Sequence, residues 1–263
     1  MALYQNRIVI KIGTTTLMNE MDRPDLKNTE KLVRTVADAH NMGFQVILVS
    51  SGAIAFGTER LGLKVKPSTM RMQQAVAAVG QSNMMNLYDR LFAEYGKTTA
   101  QILLGAEDID KEETRRNLTN TLETLIDMDV IPIANENDSL NNEEIGSGDA
   151  AFGDNDMLSA VVASVCRASK LIILSDRSVL ESMKESGGNS GGTDVRSKTV
   201  SSSARGRSGA SGARRSAGSA ETKLKAAQMA ASGGTVTYLI DGKHPEEIYD
   251  VLNGSEAGII VKG

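Results

Sequence analysis

The stretch FQVILVSSGAIAFG (44–57) passes from an uninterrupted apolar run, through a Ser-Ser-Gly turn, into a segment with helical spacing. An apolar run without alternation is typical of a strand that is buried on both faces of a sheet. A strand followed by a helix is half of a βαβ unit, which joins parallel strands. This stretch therefore predicts a parallel sheet covered by helices.

The same arrangement recurs along the whole chain. Longer segments of helical period, such as NTEKLVRTVADAHNMG (28–43), separate the apolar runs. A length of 263 residues suits one large α/β domain. We expect a single domain over 1–263, an α/β fold with a three-layer open, mostly parallel sheet and helices on both faces. The five other predicted strands are RIVIKI (7–12), TAQILLG (99–105), VIPIAN (130–135), LIILS (171–175) and TVTYLI (235–240).

The composition of the chain argues against a nucleic-acid-binding protein and against a membrane protein. The net charge of −4 gives no electrostatic footprint for nucleic acid, and 3% aromatic residues with no tryptophan offer little base stacking. No apolar run approaches the roughly 20 residues of a membrane span. The single cysteine, Cys166, lies in an apolar run and cannot form a disulfide within the chain. We expect a cytoplasmic protein with no nucleic-acid partner and no membrane partner.

One segment departs from this pattern. In residues 186–220, Gly and Ser make up 18 of 35 positions, so few apolar side chains are left to offset the entropy lost on ordering. We expect 177–220 to be an atypical, low-complexity and flexible segment. Its excess of basic residues fits either a solvated linker or a phosphate contact.

The turn after the first predicted strand carries candidate phosphate ligands. In VIKIGTTTL, Lys11 precedes Gly13 and a threonine run that begins at Thr14. In open α/β sheets, ligands bind beyond the carboxyl ends of the strands. A lysine in an apolar strand is costly unless its charge is used, which favours phosphate binding over a side chain that only reaches solvent.

The turn after the second strand offers backbone donors. Ser51, Gly52 and Ala53 stand where the strand runs into a helix, and the exposed N–H groups of a helix start suit a carboxylate or a phosphate. An ordinary helix start is the alternative reading of the same residues.

Acids and amides cluster in IPIANENDSL (131–140) and FGDNDMLSA (152–160). Such groups repel one another unless a cation lies between them, whether Mg²⁺, a lysine ammonium or the α-amino group of a substrate. Simple Asx caps are the alternative. His40 and His244 are far apart and lack neighbouring ligand types, so zinc chemistry is not expected, and no residue is assigned as a metal ligand. Later, SAGSAETKLKAA (216–227) places Lys223 in the predicted first turn of a helix, where it is a candidate phosphate ligand.

Together these motifs closely resemble the glutamate 5-kinases of the amino acid kinase family. The resemblance runs from residue 7 to about 176 and resumes at about 221, and NEND followed by GDND is its most specific part. It implies transfer of the γ-phosphoryl group of ATP to the side-chain carboxylate of L-glutamate, which gives glutamyl 5-phosphate in the first step of proline biosynthesis. The motifs are VIKIGTTTL, LVSSGAIAFG, QQAVAAVGQ, AQILLG, IPIANENDSL, GDNDMLSA and ETKLKAA.

The resemblance also implies roles for individual residues. Lys11 and Lys223 would neutralise charge on the transferring phosphoryl group, Asp156 would hold these lysines, and Mg²⁺ would bridge the phosphates of ATP. The residues implied for glutamate binding are Ser51, Gly52, Ala53, Asn135, Asp138, Asp154 and Asn155. Those implied for nucleotide binding are Lys11, Gly13, Thr14, Ser175, Asp176, Ala217, Gly218, Ser219, Ala220, Glu221, Thr222 and Lys223.

Two departures accompany the resemblance. It covers the kinase domain only, so no C-terminal RNA-binding-like domain is expected. The family's glycine-rich loop before the second lysine is replaced by AGSAE (217–221) at unchanged length, as in-place replacement would produce. Compensating reading-frame shifts, engineering and a natural variant loop are alternative origins.

The resemblance further implies a dimer or tetramer, with the methionine-rich segment 68–95 as contact surface, and feedback by proline. Two other functions stay open. One is a kinase of another small carboxylate or carbamate. The other is a glutamate-binding chain whose phosphoryl transfer is impaired by the altered 177–221 segment.

Overall fold

The protein is described here by a computed structural model that covers residues 3–105, 111–140, 155–186, 194–197 and 210–262. In these residues one sheet has the strand order β3-β4-β2-β1-β5-β7-β8-β6. The first six strands in this order are parallel, and β8 runs antiparallel to both β7 and β6. The strands are β1 (Tyr4–Ile12), β2 (Gln45–Ser50), β3 (Thr98–Leu104), β4 (Val130–Glu136), β5 (Ala168–Ser175), β6 (Asp194–Ser197), β7 (Val236–Asp241) and β8 (Ile259–Lys262).

Helices cover both faces of this sheet. Alternate residues of β1 enter opposite apolar clusters: Ile8 and Ile10 pack in one, and Val9 packs in the other. Both faces are buried, which explains why the strands read as unbroken apolar runs and confirms the predicted three-layer class. The helices are α1 (Thr14–Leu17), α2 (Leu26–Asn41), α3 (Ala53–Arg60), α4 (Met70–Ala93), α5 (Glu112–Asp127), α6 (Asn155–Val165), α7 (Arg177–Ser186), α8 (Ala210–Ser232) and, after a 3₁₀ turn at Pro245–Glu247, α9 (Ile248–Leu252).

The sheet brings three strand ends to one place. Ile12 of β1 pairs with Ser50 of β2 on one side and with Leu174 of β5 on the other. Because all three strands are parallel, the turns that follow them begin side by side at the same edge. Strand order reverses around β1, and such a switch point opens a crevice for ligands.

The segment after β5 differs in part from its predicted flexible form. Helix α7 buries Val179, Leu180 and Met183 against the core, and β6 pairs with β8. Three apolar residues in one short helix are too few to stand out against a low-complexity background. The prediction of flexibility for 187–193 and 198–209 lies outside the described residues.

The predicted start of the later helix also differs. Helix α8 begins at Ala210, so Lys223 lies more than three turns inside it and not in its first turn. Alanine has the highest helix propensity, and the alanines of this segment extend the helix through its glycines, each of which costs only about 1 kcal/mol.

Candidate active site

Glycine fixes the turn between β2 and α3. Gly52 has a φ of 121°, a conformation that L side chains rarely adopt, and its carbonyl accepts the N–H of Phe56 at 2.9 Å. Ser51 donates its N–H to the Ile12 carbonyl at 2.9 Å, which joins this turn to the end of β1. The start of α3 is therefore held at the carboxyl edge of the sheet.

Two further glycines hold α3 against α4. A Cβ atom at Gly80 would overlap the carbonyl oxygen of Ala53, and one at Gly57 would overlap the carbonyl oxygen of Val76. The helices thus touch backbone to backbone, with no room for a side chain. This contact sets the position of Gly52 and Ala53, and the sequence analysis did not detect it.

A buried carboxylate between two lysines forms the centre of the site. Asp156, in the first turn of α6, accepts from Lys11 Nζ at 2.5 Å and from Lys223 Nζ at 2.8 Å. Asp156 is 0% exposed, Lys11 4% and Lys223 6%. Lys223 also donates to Ser219 Oγ at 3.0 Å, one turn earlier on α8. The structure thus brings together three predicted residues from β1, α6 and α8.

The charges in this cluster do not cancel. Burial disfavours ionisation of Asp156, but the Lys11 and Lys223 ammonium groups outweigh it and hold the pKa of Asp156 below its usual range. With both lysines charged, two cations and one anion leave a net charge of about +1 on three almost fully buried side chains. Such a charge attracts an anion far more strongly than it would in water.

A cavity of about 510 Å³ opens onto these lysines. Its lining includes seven of the residues predicted for nucleotide binding, which lie at the ends of β1 and β5 and on α8. Asp176 accepts the N–H and the hydroxyl of Ser178, both at 2.9 Å, and so starts α7 at the wall of this cavity. The lining residues are Lys11, Gly13, Thr14, Thr15, Ser51, Leu174, Ser175, Asp176, Ser178, Val179, Ser219 and Lys223.

A second cavity of about 340 Å³ adjoins the first, and the two share Thr14 and Ser51. Asp138 lies in its wall, and burial raises the pKa of that carboxyl to about 6. Asn155 Oδ1 is buried there without a hydrogen-bond partner among the described residues. The lining residues are Thr14, Ser51, Gly52, Ala53, Ile54, Ala55, Thr58, Lys66, Asp138 and Asn155.

One described residue implied for glutamate binding, Asn135, is not in either wall. Asn135 is 1% exposed and donates to Gln81 Oε1 of α4 at 2.8 Å, while its own Oδ1 accepts the N–H of Glu136 at 2.9 Å. Its contacts tie β4 to α4, so it sits behind the cavity. Asp154 lies outside the described residues.

The segment 217–223 is helical in the structure, in contrast to the glycine-rich loop that the resemblance implies at this place. Interior N–H groups of a helix bond to its own carbonyls, so they do not bind phosphate. Of this segment, Ser219 and Lys223 reach the larger cavity, whereas Glu221 pairs with Lys225 at 2.9 Å on the exposed side. Thr222 donates to the Ser219 carbonyl, Ala220 packs on the core, and Ala217 and Gly218 lie in the helical backbone.

Sequence reasoning missed several lining residues. Thr15, Ser178, Ile54 and Ala55 each follow a predicted residue by a few positions, so extending each turn would have found them. Lys66 has no such signal, because it lies in an exposed connection between α3 and α4. Only the folded chain places it at the smaller cavity.

The described part of the chain contains neither a metal-ligand cluster nor a membrane-spanning helix. Among residues 3–105, 111–140, 155–186, 194–197 and 210–262, no three His, Cys, Asp or Glu side chains form a group that could hold a metal ion. In the same residues, no helix is both long and apolar enough to cross a lipid bilayer.

The sequence of this chain is similar to those of known proteins. The sequence profile of the amino acid kinase family matches residues 6–241. The glutamate 5-kinase of Clostridium perfringens is 41% identical over 255 residues, which is 96% of this chain and 93% of that protein. The glutamate 5-kinase of Enterococcus faecalis is 39% identical over 258 residues, or 98% of this chain and 95% of that protein.

Solved structures share the fold at low sequence identity. Carbamate kinase from Giardia lamblia bound to AMP-PNP has a TM-score of 0.60 and 15% identity, with 98% of this chain and 99% of that chain covered. The isopentenyl phosphate kinase of T. acidophilum, in a product complex, has a TM-score of 0.59 and 14% identity, with 96% and 97% covered. These likenesses concern the fold alone.

Proposed function

This chain belongs to the amino acid kinase family, and from that premise we propose that it phosphorylates L-glutamate with ATP. The γ-phosphoryl group is transferred to the side-chain carboxylate, and the products are glutamyl 5-phosphate and ADP. This reaction is the first step of proline biosynthesis. The observation that carries the proposal is the buried Lys11–Asp156–Lys223 cluster beside two adjoining cavities.

The two cavities suit the two substrates. ATP fits the larger one, with its phosphates toward Lys11 and Lys223, and glutamate fits the smaller one. Since Thr14 and Ser51 border both, the γ-phosphoryl group and the acceptor carboxylate meet at this shared wall. Holding the two groups in line supplies most of the catalysis in phosphoryl transfer, because the reaction needs little covalent help.

The lysines offset the charge that two anions bring together. The acceptor carboxylate is already ionised at neutral pH, so it attacks the γ-phosphorus without a general base, and the bond to ADP breaks. Asp156 takes no proton, because both of its oxygens contact the lysines. Its role is to position Lys11 and Lys223 where negative charge shifts during transfer.

Asp138 suits the α-ammonium group of the substrate. With a pKa of about 6 its carboxyl is mostly ionised at neutral pH, and an ammonium bound beside it would favour the ionised form further. Asn155 Oδ1, which lacks a hydrogen-bond partner among the described residues, is a second acceptor in the same cavity.

We also propose that Mg²⁺ accompanies ATP. Magnesium in kinases is held largely by substrate phosphates and takes few ligands from the protein. When bound, it neutralises phosphate charge. Lys11 and Lys223 then act on the remaining charge.

A hydroxamate assay tests the proposed function. The protein is incubated with ATP, Mg²⁺, L-glutamate and hydroxylamine, and the hydroxamate that forms from the acyl phosphate is measured. We expect turnover with glutamate that is lost in Lys11→Ala. A large preference for aspartate or a carbamate would instead assign the chain to another carboxylate or carbamate.

One observation favours a second candidate. Because 217–222 is helical, its N–H groups are not free to hold phosphates, which favours a glutamate-binding chain with impaired phosphoryl transfer. Calorimetry separates the two candidates. Glutamate binding without ATP binding or turnover would support the second.

We further propose that the protein forms a dimer or tetramer, is subject to feedback by proline and is located in the cytoplasm. We place a dimer or tetramer contact on α4, where Met72 and Val79 are exposed at 47% and 37%, and light scattering tests it. Proline feedback at or overlapping the smaller cavity is tested by competition with glutamate. The buried thiol of Cys166 is consistent with a reducing cytoplasm.

A further inference from the structure

L-Glutamate brings three charged groups to a cavity with few charged partners. The described lining of the smaller cavity contains one acid, Asp138, and one base, Lys66, and its other members are uncharged. Asp138 suits the α-ammonium group, and the side-chain carboxylate must reach the wall that borders the larger cavity. The α-carboxylate is then left with Lys66 as its cationic partner among these residues.

Lys66 is free enough to serve in this way. Its side chain is 74% exposed, and among the described residues its ionic contact is Asp22 at 3.6 Å, itself 72% exposed. A long ion pair between exposed groups contributes little free energy, so a substrate carboxylate can replace Asp22 at small cost.

The backbone around Lys66 is better fixed than its side chain. Pro67 follows directly and restricts Lys66 to an extended backbone conformation. The Pro67 carbonyl accepts Gln73 Nε2 of α4 at 3.1 Å, which joins this connection to the helix that supports α3. The lysine is thereby held at the rim of the cavity, with its side chain exposed to solvent.

We propose that Lys66 binds the α-carboxylate of L-glutamate and so sets the preference for α-amino acids with a free carboxylate. This inference rests on the proposed function of the smaller cavity. With Asp138 it makes a pair of opposite charges that matches the zwitterionic end of the substrate, while Thr14 and Ser51 lie toward the reacting end.

The test compares two acceptors on two variants. The α-amide of L-glutamate keeps the ammonium and the side-chain carboxylate but lacks the α-carboxylate charge. Lys66→Met removes the proposed contact, and Lys64→Met removes an exposed lysine two residues away that lies outside the cavity lining. Steady-state hydroxamate formation gives kcat and KM, and the inhibition constant replaces KM if the amide is not turned over.

We expect Lys66→Met to raise KM for L-glutamate about tenfold, as loss of one charge-assisted contact does, with kcat within about twofold. For the α-amide, the KM or inhibition constant of Lys66→Met should equal that of the wild type. Lys64→Met should leave the constants for both acceptors at their wild-type values. Added salt should raise the glutamate KM of the wild type more than that of Lys66→Met, because the contact is partly exposed.

The assignment of Lys66 would be overturned if Lys66→Met weakened the binding of L-glutamate and of its α-amide equally, or weakened neither. Failure of the proposed function looks different. If the wild type binds glutamate but transfers no phosphoryl group, the same comparison is made on dissociation constants by calorimetry. If it binds no glutamate, the Lys66 assignment and the proposed function are both rejected.

Discussion

Two positions in β1 each bury a cation, and the two cations differ in what they contact. Arg7 makes four hydrogen bonds, two of them to Glu123 at 2.7 and 2.8 Å and one each to Gln45 and the Cys166 carbonyl. Lys11, four residues later, shares Asp156 with a second lysine and opens onto a cavity. Arg7 is balanced by its own partners, whereas the Lys11 cluster has charge to spare for a ligand.

The difference shows how a structural ion pair can be distinguished from a functional one. Burial is similar, at 1% for Arg7 and 4% for Lys11, so exposure alone does not separate them. What separates them is the balance of charge and the open volume beside it. The hydrogen bond from Arg7 has the largest influence on Glu123 and, with the charge of Arg7, lowers the pKa of that carboxyl against the opposing effect of burial, as expected of a closed pair.

The largest expected effect is on the Lys11 side. Lys11→Met should lower kcat about 10³-fold, because one preorganised cation no longer meets the transferring group. The free energy of unfolding should fall by less than in a variant that leaves a buried charge unpaired, since Asp156 keeps Lys223 as partner. Hydroxamate turnover and urea denaturation measure the two quantities. Full activity in Lys11→Met would remove this cluster from catalysis.

Arg7 should behave in the opposite way. Arg7→Met should lower the free energy of unfolding by about 3 kcal/mol, because Glu123 loses its partner, and kcat per folded molecule should stay near that of the wild type. Urea denaturation measures the loss. The double variant Arg7→Met with Glu123→Leu should recover much of it. A large fall in kcat with stability intact would contradict the structural role.

The pH dependence of glutamate binding gives a smaller effect. Asp138 holds its charge above a pKa of about 6, so protonation removes the partner of the substrate ammonium as pH falls. We expect KM for L-glutamate to rise about tenfold from pH 7 to pH 5. Asp138→Asn should bind glutamate more weakly at pH 7 and lose most of this dependence. The same steep profile in Asp138→Asn would assign the titration to another group.

The smallest effect concerns α8. Ser219→Ala removes the hydroxyl that contacts Lys223 Nζ at 3.0 Å and should raise KM for ATP about threefold, as loss of one hydrogen bond does. Ser232→Ala on the same helix removes a hydroxyl that bonds to the Met229 carbonyl, outside the cavity lining, and it serves as the matched control. An equal KM for ATP in Ser219→Ala and Ser232→Ala would place Ser219 outside the nucleotide site.

Most of the fold could be predicted from local sequence. The unbroken apolar runs of β1, β2 and β5 reflect strands covered on both faces, and their spacing reflects helical crossovers. Helix α7 was missed because its three buried residues lie in a polar background. The start of α8 was misplaced because glycine and serine weaken a helix without preventing it.

Parts of the candidate site could also be predicted. Ser51 and Asp138 were identified because each follows a predicted strand, and Lys11 because it lies near the end of one; parallel strands share one carboxyl edge. Gly57 and Gly80 carried no recognisable signal, since the backbone contact between α3 and α4 depends on how two helices cross. Lys66 was missed for a similar reason.

The sequence by itself determined the α/β class and the strand ends that carry ligands, because hydrophobic period and glycine turns are local properties. Only the tertiary structure decided that Lys11 and Lys223 share Asp156, across separations of 145 and 67 residues, and that the shared charge faces a cavity. Long-range packing sets such distances, and local pattern does not record them. For the same physical reason, Lys66 becomes a ligand only when α3 and α4 bring it to the cavity rim.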